Sequence, residues 1–211
     1  MSDNINPEKI TKNIAILGGS FDPPTIAHIQ TASEIYNLLK HIDEVWLVPC
    51  GDNRKDKTLK ASAIQRKEML ELAIKDILDD SFSNIKVCDY EIEYGSYLPT
   101  YDLLTKLKEK YPVYKFYMSI GSDLVDSLKK WDNGENLLRE NEFVVICREC
   151  HSLDNLNLPS NFTELDCNIY GSSTSIRNRI QGRNKTTKTF NIEGLTTKSI
   201  LRYIQKNKLY L

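Results

Sequence analysis

Nowhere does this sequence approach the roughly 20 consecutive apolar residues that a membrane-spanning helix needs. Charge of one sign is lacking too: 28 Lys and Arg against 29 Asp and Glu leave a formal net charge of −1 and a pI near 6.3. A dedicated nucleic-acid binder carries a basic footprint, so the balance argues against that class. Cysteine is scarce and odd in number, at five, which suits a reducing compartment rather than a disulfide framework. The first residues are polar with no apolar core of a secretory signal, so the expected location is the cytoplasm, with the nucleus left open. Glycine numbers only 9, and neither a Walker A loop nor a Gly-x-Gly-x-x-Gly fingerprint occurs.

Cys147 and Cys150 form a C-x-x-C followed by His151. A zinc site would want a second ligand pair, and only Cys167 lies downstream. Cys147 also ends an apolar strand pattern, so it reads as a buried strand residue, and no protein-held metal is expected.

What the sequence does have is alternation. Apolar strand patterns at Ile14–Leu17, Glu44–Pro49, Ile85–Cys88, Lys115–Ile120 and Glu142–Cys147 alternate with helical patterns. The helices are expected over Ile26–Leu39, Ser62–Ile77, Thr100–Lys110 with Thr100 as its cap, a segment through Leu128, Ser172–Ile180 and Thr196–Lys206. On the second helix the apolar positions are Ile64, Leu70, Ala73, Ile74 and Ile77. A short strand near Asn168–Tyr170 and polar loops at 151–163 and 185–189 complete the pattern. Residues 1–12 read as a polar tail and 13–211 as one domain. Such alternation predicts an α/β fold of three layers, a doubly wound and mainly parallel sheet. Ligands of such sheets bind beyond the carboxyl ends of the strands.

Gly18-Gly19-Ser20-Phe21-Asp22-Pro23-Pro24-Thr25-Ile26-Ala27-His28 joins the first strand to the first helix. The exposed N–H groups and positive dipole end of such a junction suit phosphate, and His28 lies one turn inside. Taken singly, paired glycines serve tight turns without ligands, and a histidine at a helix start is commonly structural. Gly171-Ser172-Ser173-Thr174-Ser175-Ile176-Arg177 offers a second turn with hydroxyls and an arginine one turn along. A planar guanidinium fork fits phosphoryl oxygens, although a capped helix with a surface arginine has the same residues.

Taken together, these runs resemble one known family. Gly18–His28 is similar to the Gly-Gly-Ser/Thr-Phe-Asp/Asn-Pro-x-His/Thr-x-x-His signature of nucleotidyltransferases that use a His/Thr-x-Gly-His motif. Among them it looks most like the nicotinate/nicotinamide mononucleotide adenylyltransferases. Ala27 departs from the Gly of most bacterial members, and Thr25 at the first motif position leaves His28 as the motif's lone histidine. Ser172–Arg177 resembles the family's Ile-Ser-Ser-Thr-x-Ile-Arg, with Gly171 in place of Ile. Gly121-Ser122-Asp123, with Trp131 eight residues on, resembles its Gly-x-Asp-x7-Trp pattern.

The resemblance implies a Rossmann-like nucleotidyltransferase fold and adenylyl transfer from ATP to nicotinate or nicotinamide mononucleotide, with Mg²⁺ arriving on the triphosphate. It places Thr25 and His28 at the α and β phosphates and Arg177 with Ser173 at the β and γ phosphates. Gly18, Gly19, Ser20, Phe21, Gly121, Asp123, Ser172 and Thr174 would border ATP. A lysine after the second strand, Lys55 or Lys57, would reach the triphosphate. Asp22 would order the metal's water shell or the first turn. Tyr97 and Thr100 would hold the pyridine substituent and Trp131 would stack on the ring. Acid or amide, and a monomer or a homo-oligomer, stay open. The alternatives are another transferase of the superfamily, such as a phosphopantetheine adenylyltransferase or a cytidylyltransferase, and a catalytically silent nucleotide-binding module.

Overall fold

The structure is a computed structural model and describes residues 10–54, 56–79, 82–147, 156, 158–167, 169, 171–186 (backbone only from 183) and 192–211. Its strands are β1 (Lys12–Gly19), β2 (Glu44–Pro49), β3 (Ile85–Val87), β4 (Tyr114–Gly121), β5 (Glu142–Cys147) and β6 (Phe162–Asp166). They form one six-stranded sheet in the order β3-β2-β1-β4-β5-β6, and every pairing is parallel. The helices are α1 (Ile26–Leu38), α2 (Ala63–Ile77), α3 (Tyr90–Tyr94), α4 (Thr100–Lys110), α5 (Gly134–Glu140), α6 (Ser173–Thr186) and α7 (Lys198–Lys206), with a 3₁₀ helix over Ser122–Lys130.

Strand periodicity divides β1 between two cores. Ala15 and Leu17 pack with Ile29 and Ile35 of α1, Met69 and Leu70 of α2, Ile176 of α6 and Ile200 of α7. Ile14 and Ile16 face the opposite side, against Leu104 and Leu107 of α4, Val125 and Leu128 of the 3₁₀ helix and Leu137 of α5. The result is the expected three-layer α/β arrangement. Among the described residues, no helix is long and apolar enough to cross a membrane.

Several expectations need correction. Ile64 is 60% exposed and Ile77 also lies outward, while α2 buries Ala63, Arg66, Met69, Leu70 and Ala73. Of the other apolar positions read on this helix, Leu70 and Ala73 are buried and Ile74 packs against the core, so the face holds in part and also takes in Arg66. The segment through Leu128 is 3₁₀, and its buried residues Ser122, Val125 and Leu128 recur every three positions, as that geometry demands. Pro99, not Thr100, is the cap position of α4, with Thr100 the first helical residue. The sixth strand is Phe162–Asp166, partly inside the segment read as a loop. Only Leu165 of it is buried, so this edge strand has almost no alternation to detect. Asn168 and Tyr170 lie outside the described residues, as do Cys150, His151 and Lys55. Cys147 is buried in β5; burial and the neighbouring Glu164 carboxylate push its thiol up to about 11, making it a poor thiolate.

At the amino end of β2, Glu44 accepts from Lys12, Lys86 and the Trp46 indole N–H. Burial alone would raise its carboxyl, but these donors outweigh it and hold the group at about 2 instead of 4.5. A depressed folded value stabilises the fold above pH 4.5 and is lost as pH falls toward 2. Glu44→Gln is therefore expected to flatten the decline in melting temperature across that window. A decline as steep as in the parent protein would show that Glu44 makes no such contribution.

Candidate active site

In the observed strand order, successive connections leave in opposite directions between β1 and β4, which opens a crevice at their carboxyl ends. Gly18 and Gly19 end β1 there and continue its pairing with Val48 and Pro49, so they belong to the strand rather than the turn. A Cβ on Gly19 would meet the Phe21 ring at 3.1 Å. The turn itself begins at Phe21, whose φ is +47°, and includes the cis peptide Asp22-Pro23. The Phe21 ring is buried and stands edge-on to the His28 imidazole, 4.9 Å between centroids.

Thr25 caps α1 in a reciprocal capping box with His28. The Thr25 N–H donates to His28 Nδ1 at 2.9 Å, and Thr25 Oγ1 lies 3.0 Å from the same nitrogen. An amide donor on Nδ1 places the neutral ring's proton on Nε2. The capping box thus orients the ring.

The carbonyls of Asp22, Pro23 and Pro24 are each taken by a residue from the far end of the chain. Arg177 donates to Asp22 O at 2.6 Å, Ser173 Oγ to Pro23 O at 2.7 Å and Thr196 Oγ1 to Pro24 O at 2.9 Å. The two sequence motifs are therefore bonded to each other. Arg177, half-buried, also donates to Thr174 Oγ1 at 3.0 Å, and Ser172 Oγ accepts from the Ser175 N–H at the start of α6.

Asp22 is committed to the turn. Its carboxylate accepts from the Lys60 and Ala61 N–H groups and from the buried Tyr210 phenol at 2.7 Å. Burial and this carboxylate push the phenol up, so Tyr210 stays a donor. Among the described residues no group of three His, Cys, Asp or Glu could hold a metal. Of the two roles expected for Asp22, the ordering of the turn is the one its geometry supports.

Arg66, missed in the sequence, is fully buried and joins the first turn to the segment after β2. It donates to Ser20 O at 2.9 Å, Cys50 O at 2.7 Å, Ala61 O at 3.2 Å and Asp52 Oδ1 at 3.0 Å. The available signal was an arginine three residues before Met69, on the stripe that α2 buries. The loop anchored by Asp52 and residues 60–61 lines an open cleft of about 370 Å³ that includes Arg54 and Lys57. Lys57 Nζ reaches Ser20 Oγ at 3.0 Å and so stands beside the first motif.

A second missed residue is Glu91. Its buried carboxylate accepts from the Gly51 and Leu98 N–H groups at 2.9 and 3.0 Å, and burial raises its proton affinity. Gly51 packs so closely that a Cβ there would stand 2.5 Å from Tyr97 N. The segment Tyr97–Thr100 is thereby fixed to the loop after β2, with the Arg54 guanidinium 4.9 Å from the centre of the Tyr97 ring. Across the crevice, Gly121 ends β4 and Asp123 is exposed. Trp131 is half-buried at the end of the 3₁₀ helix, with its N–H donated to Ser127 Oγ.

A helix N-terminus, a cation-bearing second motif and a basic loop converging at the switch point of a parallel sheet define a nucleotide-handling α/β protein. Residues 16–179 match the family model described as Cytidylyltransferase-like. Two bacterial relatives, each named "Probable nicotinate-nucleotide adenylyltransferase", are similar over 94% of this chain. That of Oceanobacillus iheyensis is 33% identical with 97% of its length covered; that of Bacillus cytotoxicus is 34% identical with 98% covered. Two structures of the Plasmodium falciparum nicotinic acid mononucleotide adenylyltransferase align over 94% of this chain and 97% of theirs. The complex with NaAD gives a TM-score of 0.82 at 34% identity, and the complex with APC gives 0.78 at 33%. The chain belongs to the cytidylyltransferase-like family and, within it, to the nicotinate-nucleotide adenylyltransferases.

Proposed function

We propose that this chain transfers the adenylyl group of ATP to nicotinate mononucleotide, giving the dinucleotide and pyrophosphate in NAD biosynthesis. The observation that carries this reading is the direct bonding of the two phosphate-facing motifs, Arg177 to Asp22 O and Ser173 to Pro23 O, around the start of α1. A 5′-phosphate oxygen of the mononucleotide attacks the α-phosphorus of ATP as the bond to the bridging oxygen of the leaving pyrophosphate breaks. The nucleophile is already an anion, so no proton need be removed and catalysis is positioning with charge stabilisation. His28 donates from Nε2 to an α-phosphoryl oxygen, the α1 amides support it, and Arg177, Ser173 and Lys57 hold the leaving phosphates.

Mg²⁺ arrives as part of the ATP complex and neutralises the triphosphate. Asp22 leaves that role to the phosphates, since its carboxylate is engaged by the Lys60 and Ala61 N–H groups and the Tyr210 phenol. Trp131 offers its ring to the pyridine, and the Tyr97–Thr100 segment reads its substituent. Cys50, Cys88 and Cys147 carry free thiols, which fits work in the cytoplasm.

The test is purified protein with ATP, Mg²⁺ and either the acid or the amide mononucleotide. Dinucleotide is expected from both, with the acid faster by about ten-fold or more because buried polar groups discriminate a missing partner strongly. Faster turnover of the amide would overturn the substrate assignment, and absence of product would overturn the activity.

Arg177→Ala should raise the ATP KM and slow turnover, by roughly 10- to 100-fold in kcat/KM for loss of a charged, forked contact. Arg177→Lys should recover part of it, because the charge survives and the fork does not. Unchanged ATP kinetics in both variants would make Arg177 a strut for Asp22 only.

A further inference from the structure

We infer that Ala27 and Gly171 form a complementary contact that sets how closely the second phosphate-facing motif approaches the first. Gly171 is not among the glycines at positive φ, so its backbone conformation does not require glycine. Space does: a Cβ at 171 would stand 2.5 Å from Ala27 Cβ and 3.0 Å from Thr25 Oγ1. Ala27 is itself buried on the first turn of α1, so it cannot swing aside.

Both sides of this contact lead directly to working groups. One residue beyond Gly171, Ser172 precedes α6 and accepts from the Ser175 N–H; Ser173 and Arg177 then hold Pro23 O and Asp22 O. On the other side, Thr25 Oγ1 lies 3.0 Å from His28 Nδ1. A side chain at 171 would therefore wedge Arg177 away from the turn and press on the residue that orients His28. These are also the two positions at which the motifs depart from the family pattern. A methyl group is gained at 27 and a side chain is lost at 171, so the departures offset each other in one contact.

The inference rests on the reading of this site as the ATP site, and a double-mutant cycle separates the two. The parent protein, Ala27→Gly, Gly171→Ala and the double variant are compared by melting temperature without ligand, by ATP affinity and by KM for each substrate. Gly171→Ala should lower the melting temperature by roughly 4–10 °C, the scale of overpacking in a protein of this size. It should weaken ATP about ten-fold or more, since small displacements of positioning groups are costly. The mononucleotide KM should stay within about two-fold, because Tyr97 and Trp131 do not share the contact. Ala27→Gly should be near neutral, and the double variant should recover most of both losses, short of the residual 3.0 Å approach to Thr25 Oγ1.

Additive effects in the melting temperatures, or a Gly171→Ala protein with parental ATP affinity, would overturn the inference. Should Gly171→Ala not fold, a folded double variant supports the contact and an unfolded one overturns it. If the parent protein makes no dinucleotide, the functional reading fails while the melting-temperature cycle still decides whether the contact exists.

Discussion

His28→Ala should lower kcat by roughly two to four orders of magnitude, the scale of losing a key transition-state donor. The fold should survive, because the imidazole is only half-buried and Thr25 can still cap α1 through its hydroxyl. One orphaned amide remains: the Thr25 N–H loses Nδ1 as its acceptor. That loss costs about 1 kcal/mol, or a few degrees in melting temperature. His28→Gln separates the two contributions, since a side-chain amide restores an acceptor for Thr25 but directs its donor differently. Its stability should return while its kcat stays low. A His28→Ala enzyme with near-normal kcat would reduce the histidine to a capping residue.

Arg66→Met should be the most destabilising single change near the site. The substitution keeps much of the volume but strands the Ser20, Cys50 and Ala61 carbonyls that the guanidinium serves. Losing one partner of a buried charged network costs about 3–5 kcal/mol, or roughly 6–20 °C in melting temperature for a chain of this length. Arg66→Lys should also fail to restore stability, because one ammonium cannot span three carbonyls set apart in a fork. Activity at low temperature tells positioning from bulk stability. With Arg66 gone, the Ser20 turn and the loop bearing Lys57 lose their common anchor, so ATP KM should rise more than mononucleotide KM. A shift of under about 2 °C would mean that the buried guanidinium contributes little net stability.

The contrast between His28 and Arg66 shows what was legible in the sequence. The central strands, the order of elements and the two motifs could be read because each is a local pattern: apolar runs, a strand-to-helix turn, a capped helix with an arginine. Arg66, Glu91, Thr196 and Tyr210 could not, since each joins segments that lie apart in the sequence, such as Arg66 with Ser20, Glu91 with Gly51 and Tyr210 with Asp22. A polar residue on a helix stripe is discounted when counting apolar positions, and Arg66 on the buried face of α2 was passed over for that reason. The β6 edge strand was hidden by its near-absence of buried residues, and the 3₁₀ segment by a period of three that a 3.6-residue template blurs. Phe21 shows a subtler limit. Its place in the motif suggested a border with ATP, but not that its buried ring would stand edge-on to the His28 imidazole.

Tracing phosphorus tests the central claim most directly. The protein is incubated with Mg²⁺, nicotinate mononucleotide and ATP labelled either at the α-phosphorus or at the γ-phosphorus. The products are separated and the protein is recovered under denaturing conditions. Label from the α position should appear in the dinucleotide in equal amount to the pyrophosphate released, label from the γ position should appear only in pyrophosphate, and the denatured protein should carry none. Label from the γ position in a nucleotide product, or α label bound covalently to the chain, would contradict direct adenylyl transfer at this site.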